Sequence, residues 1–361
     1  MNIAIIGAGP IGGYAGYLLA QAGHSVALYE NHAQVGCPIQ CTGILTSDFD
    51  EFNLPLDSYL VNIIDTIEVY TPTQKLSVKQ KDYIVNRTRF DQFFVTLAQQ
   101  AGAQLYVNHS FLRREGNTII IKDSVAKTEQ SVTPDLIIGA DGPLSPTAKA
   151  FGLFHPQRQQ FYGIQATVEG NFEPHTIKTY FGNKVCPGLF AWIVPESAQL
   201  ARVGLATTKN TKYYFDRFLK EHHFTATEMQ AGTIPIYHPQ QRLQQQNCYL
   251  AGDAASYVKA TTLGGLVPGL QQAKILVESI LAGKKYEREI KPVRKKMWLH
   301  LRLHTIFNKF TDQDWDRLVR YLNQSGAVRF LEQHTRDNPY PILFKTILKE
   351  PRFLYFLKYV L

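Results

Sequence analysis

Gly7-Ala-Gly9-Pro-Ile-Gly12 lies between the short apolar run Asn2-Ile-Ala-Ile-Ile and Pro10–Ala22, a stretch rich in Ala, Leu and Gly. The run reads as a strand, the stretch as a helix and Ser25–Glu30 as a second strand, so residues 2–30 make one βαβ unit. Gly7 permits the tight turn and Gly9 lets the backbone approach a pyrophosphate. Gly12 allows helix and strand to pack closely, and the helix N-terminus offers N–H groups and positive potential to phosphates. Glu30 follows Gly7 by 23 residues, at a strand end where its carboxylate accepts hydrogen bonds from ribose hydroxyls. An acid there disfavours a 2′-phosphate. A glycine pattern alone is weak evidence, but strand, helix and acid in this order make it a nucleotide site. It does not separate NAD from FAD.

Two later segments favour FAD. Leu136-Ile-Ile-Gly-Ala-Asp141-Gly142 and Cys248-Tyr-Leu-Ala-Gly252-Asp253 each read as a buried strand with an acid at its carboxyl end. In an open parallel sheet, ligands gather beyond the carboxyl ends of strands. Two acids in that place can hold the hydroxyls of a sugar-alcohol chain, which FAD has and NAD lacks.

Together these segments resemble the FAD-dependent oxidoreductases built like para-hydroxybenzoate hydroxylase, and within them the geranylgeranyl reductase family. Gly7, Gly9, Gly12 and Glu30 match the ADP-binding motif, and Asn86-Arg87-Thr-Arg-Phe-Asp91 resembles the helix start whose arginine, here Arg87, lies near the cofactor. Asp141-Gly142 matches the middle motif and Gly252-Asp253 the ribityl-binding motif. Gly36-Cys-Pro-Ile-Gln-Cys41-Thr-Gly43 is similar to the reductases' Pro-x-x-Cys loop, which aligns Cys41 with their active-site cysteine. Phe190-Ala-Trp192-Ile-Val-Pro195 resembles their Tyr-x-Trp-x-Phe-Pro motif in the lipid-binding domain. Lys259-Ala-Thr-Thr-Leu-Gly264-Gly265-Leu resembles the loop leading into the helix under the flavin ring. Phe190, Val194, Glu196 and Ala260 depart from the pattern, where tyrosine, phenylalanine, lysine and proline are usual. The resemblance implies hydride transfer from reduced flavin, with a proton, to isolated C=C bonds of a geranylgeranyl or prenyl lipid. Cys41 would be proton donor or gate, Phe190, Trp192 and Pro195 would line the lipid site, and a ferredoxin or NAD(P)H would supply electrons. An aromatic monooxygenase or a halogenase of the same fold is the rival, and a non-catalytic flavin-binding module the further alternative.

Duller readings stand beside these. Phe190 and Trp192 lie in an alternating strand, where aromatic residues usually pack a core. Cys37 and Cys41 can be a redox pair, half a metal site or apolar fillers. Their Cys-x3-Cys spacing is not the Cys-x2-Cys of zinc sites, and no second pair follows, so no metal is expected.

The expected fold is α/β, with three parts. A discontinuous Rossmann-like FAD-binding domain takes residues 1–55, 86–153 and 245–283. An interleaved antiparallel-sheet substrate domain takes 56–85 and 154–244, and a basic, mostly helical C-terminal cap takes 284–361. Hydrophobic residues at 45% and charged residues at 19% exclude disordered and fibrous classes. Four cysteines in 361 residues make no disulfide framework. Neither an export signal nor an apolar run of the ~20 residues needed to span a membrane is visible, so a cytoplasmic protein is expected. The net charge of +8 is uneven: residues 284–361 hold 17 Lys and Arg against 8 Asp and Glu. That tail reads as a helical cap with a solvated basic face, or as a face that rests on an anionic membrane. It carries no nucleic-acid-binding pattern.

Overall fold

A computed structural model describes residues 1–359. The opening unit forms as its glycines require: β1 (Asn2–Ile6), α1 (Pro10–Gln21) and β2 (Ser25–Tyr29), with β2 parallel to β1. Gly7 has a φ of +97°, and a β-carbon on Gly12 would fall 2.0 Å from the Gly7 carbonyl oxygen. Only glycine permits that crossing of turn and helix.

The chain then leaves for a second sheet with β3 (Ile44–Thr46), β4 (Leu60–Tyr70) and β5 (Lys75–Val85), where β3 and β4 flank β5 and each pairs with it antiparallel. It returns through α2 (Arg87–Gln100), capped by the Asn86 side chain, to β6 (Gln104–Tyr106), parallel to β2. A small antiparallel sheet of β7 (His109–Glu115), β8 (Thr118–Asp123) and β9 (Thr128–Val132) is inserted before β10 (Leu136–Gly139), which pairs in parallel with β1. The short helix α3 (Pro146–Ala150) follows.

The second sheet resumes with β11 (Gln160–Glu169), β12 (Thr176–Phe181), β13 (Phe190–Pro195) and β14 (Leu200–Thr207). After α4 (Thr211–Glu221), β15 (Ala226–Pro235) forms its edge. The complete order is β15-β11-β14-β13-β12-β4-β5-β3. β16 (Gln244–Gln245) and β17 (Cys248–Leu250) finish the first sheet, whose order is β16-β17-β10-β1-β2-β6. Helix α5 (Leu266–Leu281) packs beside α1. The C-terminal region then runs through α6 (Tyr286–Glu289), α7 (Lys291–Phe307), α8 (Asp312–Ser325), α9 (Val328–Gln333) and α10 (Pro339–Lys349).

The parallel sheet and the α4 side of the larger sheet have separate cores. Ile3, Ile5, Leu28, Ile138 and Leu250 anchor the parallel sheet against Leu19, Phe94 and Leu270 of the flanking helices. One face of the larger sheet buries Phe215 and Phe218 of α4 against Ala191, Val203 and Leu205. Its opposite face is left to border a cavity. His222 stacks on Phe224 and lies tilted against Phe218, so it belongs to an aromatic cluster.

Candidate active site

A cavity of about 720 Å³ runs from the Gly7–Ile11 turn, along the strand ends of the parallel sheet, to the free face of the larger sheet. At the first end Gly9 faces open space, and the N-terminus of α1 carries no side-chain cap. Glu30 lines this end, its carboxylate oriented by the backbone N–H of Ala8 and of His32, both at 3.0 Å.

The two strand-end acids differ. Asp141 accepts from the Ser145 hydroxyl at 2.5 Å and the Thr147 N–H at 2.9 Å, so both carboxylate oxygens help start α3. Asp253 also lines the cavity, and its carboxylate accepts no hydrogen bond from the described residues. Burial raises its pKa, with Arg87 and Arg158 opposing. Asp253 therefore has open valence for ligand hydroxyls. Gly252, Gly264 and Gly265 line the same stretch, where α5 begins without a side-chain cap. Uncapped N–H groups beside an unpartnered acid and an open glycine turn fit a flavin dinucleotide.

Cys41 sits midway. Its Sγ accepts the Gly43 N–H at 3.3 Å, and the Arg87 guanidinium lies against it. Arg87 forms a bidentate pair with Asp91 at 3.0–3.1 Å. Burial pushes the Asp91 carboxyl up to about 6 while Arg87 opposes the shift. Cys37 faces elsewhere, with Sγ 3.6 Å from the Thr88 hydroxyl, and both thiols are free.

The loop carrying Cys41 is held by residues that the sequence reading passed over. Arg202 of β14 donates to the carbonyls of Thr42 and Val85, and its Nε is paired with Glu196. The Thr42 hydroxyl donates to Gln165 at 2.7 Å. A β-carbon on Gly43 would meet the Val85 carbonyl oxygen at 2.6 Å and the Arg202 guanidinium at 2.9 Å, and its φ is +72°. Glu196, one of the departures from the reductase pattern, thus has a local role. Arg202 was legible in principle as the one charge in an otherwise apolar strand, Leu200-Ala-Arg-Val-Gly-Leu-Ala-Thr.

Beyond Cys41 the wall becomes aromatic and aliphatic. Phe190 and Trp192 line it with Ile67, Ile177 and Phe181. The Trp192 Nε1–H is buried without a partner among the described residues. Pro195 corrects an expectation: it ends β13 buried outside the lining, and its carbonyl accepts from Asn62 at 3.0 Å. The C-terminal region also reaches the cavity, through Arg336, which is paired with Asp82 of β5 at 2.7 and 3.0 Å. Nothing in the sequence placed the tail at the site.

Residues 160–234 match the geranylgeranyl reductase catalytic domain family, and residues 5–56 match the NAD(P)-binding Rossmann-like domain family. A digeranylgeranylglycerophospholipid reductase of Methanothermobacter thermautotrophicus is 28% identical over 352 residues, covering 89% of this chain and 91% of that protein. A geranylgeranyl bacteriochlorophyll reductase-like protein of Thermoplasma acidophilum has a similar structure, with a TM-score of 0.85 at 21% identity over 100% of this chain and 99% of that one. A flavin-dependent brominase is more distant, with a TM-score of 0.71 at 15% identity over 96% of this chain and 98% of its own.

Proposed function

We infer that this chain, a member of the geranylgeranyl reductase family of flavin-dependent oxidoreductases, reduces isolated C=C bonds of a prenyl lipid with FAD as its flavin. The observation that carries the reading is one continuous cavity that joins a dinucleotide-type cradle to an apolar aromatic slot, with Cys41 at the junction.

Gly7, Gly9, Gly12 and the α1 N-terminus would hold the pyrophosphate, Glu30 the ribose and Asp253 the ribityl hydroxyls. Asp141 shapes the turn beside them. Arg87, Gly252, Gly264 and Gly265 complete the cradle. When bound, the flavin supplies hydride to one alkene carbon. The other carbon needs a proton, and an isolated alkene has no carbonyl for the protein to polarise. Cys41 is the group placed to hold that proton at Sγ: the sulfur accepts from Gly43, which leaves its own S–H free to turn toward the cavity. Phe190, Trp192 and Phe181 exclude water, and their π faces favour cationic character on the carbon that receives the proton. Arg202 and Glu196 keep the Cys41 loop in register with this wall.

The test is anaerobic. Purified protein reduced by dithionite, or by ferredoxin or NAD(P)H in parallel samples, is mixed with a geranylgeranyl lipid. Flavin reoxidation with a gain of two hydrogens per reduced bond is expected, and Cys41→Ala should slow it by roughly 100-fold or more, the scale of a lost general acid. Reoxidation by oxygen alone with a hydroxylated product would instead make the chain a monooxygenase.

A further inference from the structure

We propose that Lys259 supplies the cation facing the negative charge of the reduced flavin, and that Asp337 of the C-terminal region is the positioning residue that holds it. The proposal rests on the flavin reading above. Lys259 is 3% exposed and lines the cavity, and its Nζ is in direct contact with the Asp337 carboxylate. Asp337 lies behind it, outside the lining, and is itself fixed by the Thr46 hydroxyl at 2.5 Å. The positive end of this buried pair is therefore the end turned to the cavity.

Its place along the cavity is specific. The Lys259 backbone closes on itself through the Leu263 N–H at 2.9 Å. A β-carbon on Gly264 would fall 3.1 Å from Lys259 Nζ, and one on Gly265 would fall 3.1 Å from Asp253 Oδ1. Lys259, Gly264, Gly265 and Asp253 thus form one edge, ending at the uncapped start of α5. A bound flavin carries its charge on reduction along its N1–C2=O side, and a cation with a helix N-terminus favours that charge.

The surrounding charges leave this role to Lys259. Arg336 is engaged by Asp82, and Asp48 accepts from Thr335. Lys296 and His300 of α7 complete the shell, with His300 bonded to Thr261 at 2.6 Å. Burial drives the Lys259 pKa down, Arg336 and Lys296 add to that, and Asp82 and Asp48 oppose. The Asp337 carboxylate in contact with Nζ favours the charged form. A buried ion pair is weak as a stabilising device, whereas a buried charge bordering a cavity is a functional candidate.

The experiment measures the midpoint potential of the bound flavin by anaerobic equilibration with reference dyes, independently of turnover. Lys259→Met should weaken the preference for reduced over oxidised flavin tenfold or more, about 30 mV lower for a two-electron couple. Lys259→Arg should keep the wild-type value. Asp337→Asn should lie above wild type at pH 6, where the lysine is charged and uncompensated, and below it at pH 9, where the lysine is neutral. If Lys259→Met does not load flavin, Lys259→Gln carries the same comparison. An unmoved potential in a flavin-loaded neutral variant overturns the proposal, while a wild-type protein that binds no flavin overturns the cofactor reading instead.

Discussion

His300 shows how a single buried side chain ties the cavity-lining loop before α5 to the rest of the molecule. It sits on α7, 2% exposed, and its Nδ1 meets the hydroxyl of Thr261 in the loop that lines the cavity. Burial pulls its pKa down to about 3, with Lys259 adding to the shift. The folded protein thus refuses a proton that the unfolded chain takes up from about pH 6.5 downward. The stability this represents is full above that pH and is lost as the pH falls toward 3, amounting to about 2 kcal/mol by pH 5. Thermal melts from pH 7.5 to 5 should show wild type losing stability more steeply than His300→Gln, which keeps a polar partner for Thr261 and does not titrate. Parallel curves would remove His300 as the cause. At this scale the sequence spoke unevenly. Glycines at turns and acids at strand ends were readable because their spacing is local. Arg202, Asp82 and Asp337 reach partners 78 to 291 residues away in the chain, and no local pattern announces such partners.

Among the elements, the strands and helices with a clear period were legible and those shaped by neighbours were not. Lys75–Val78 and Tyr83–Val85 are strand-like in sequence, but the polar Lys79-Gln-Lys-Asp82 between them gives no strand signal. β5 runs unbroken because α8 and α9 pack against it and Arg336 satisfies Asp82. β15 carries no clear alternation because it is an edge strand, with Glu228 and Met229 exposed. The apolar and basic spacing of residues 341–359 suits a single helix, but Pro351 drives Glu350 out of helical geometry and α10 stops at Lys349. The Asp82–Arg336 pair is one of the contacts that fasten the C-terminal region to the larger sheet at the cavity, beside the Thr46–Asp337 hydrogen bond. Asp82 is 1% exposed, so replacing it with Ala leaves a partly buried guanidinium unpaired, at a cost of roughly 3 kcal/mol or more. Asp82→Ala should become sensitive to trypsin after Arg336 under conditions where wild type is resistant. Equal resistance would mean that the apolar packing of α8 and α9 is sufficient without this pair.

On the scale of the whole molecule, charge and exposed apolar surface coincide in one region. Residues 284–361 hold 17 of the 38 Lys and Arg, and the same region exposes Trp298, Phe344, Leu348, Leu354 and Leu357. Phe344 and Leu348 are four residues apart on α10, each 67% exposed, and Lys345 and Lys349 follow them directly. Large apolar side chains at that exposure gain nothing in water, and flanking lysines suit an acidic surface. No helix among the described residues is long and apolar enough to cross a membrane. A prenyl lipid resides in a bilayer, and a reductase that takes it from there gains from resting on that surface. The whole chain should therefore float with vesicles rich in phosphatidylglycerol and much less with phosphatidylcholine, and salt should weaken the association. Each lysine near the surface contributes about 1 kcal/mol, and each buried Phe or Leu side chain about 1.5–3 kcal/mol. Phe344→Ser with Leu348→Ser should then lower partitioning by more than tenfold on both vesicle types. Lys345→Glu with Lys349→Glu should instead erase the preference for acidic lipid. The two double variants thus separate the apolar from the electrostatic part of the contact. Recovery that is equal on neutral and acidic vesicles, or unchanged in both variants, would leave the basic face as a solvated surface and return the route of the lipid to the mouth of the cavity alone.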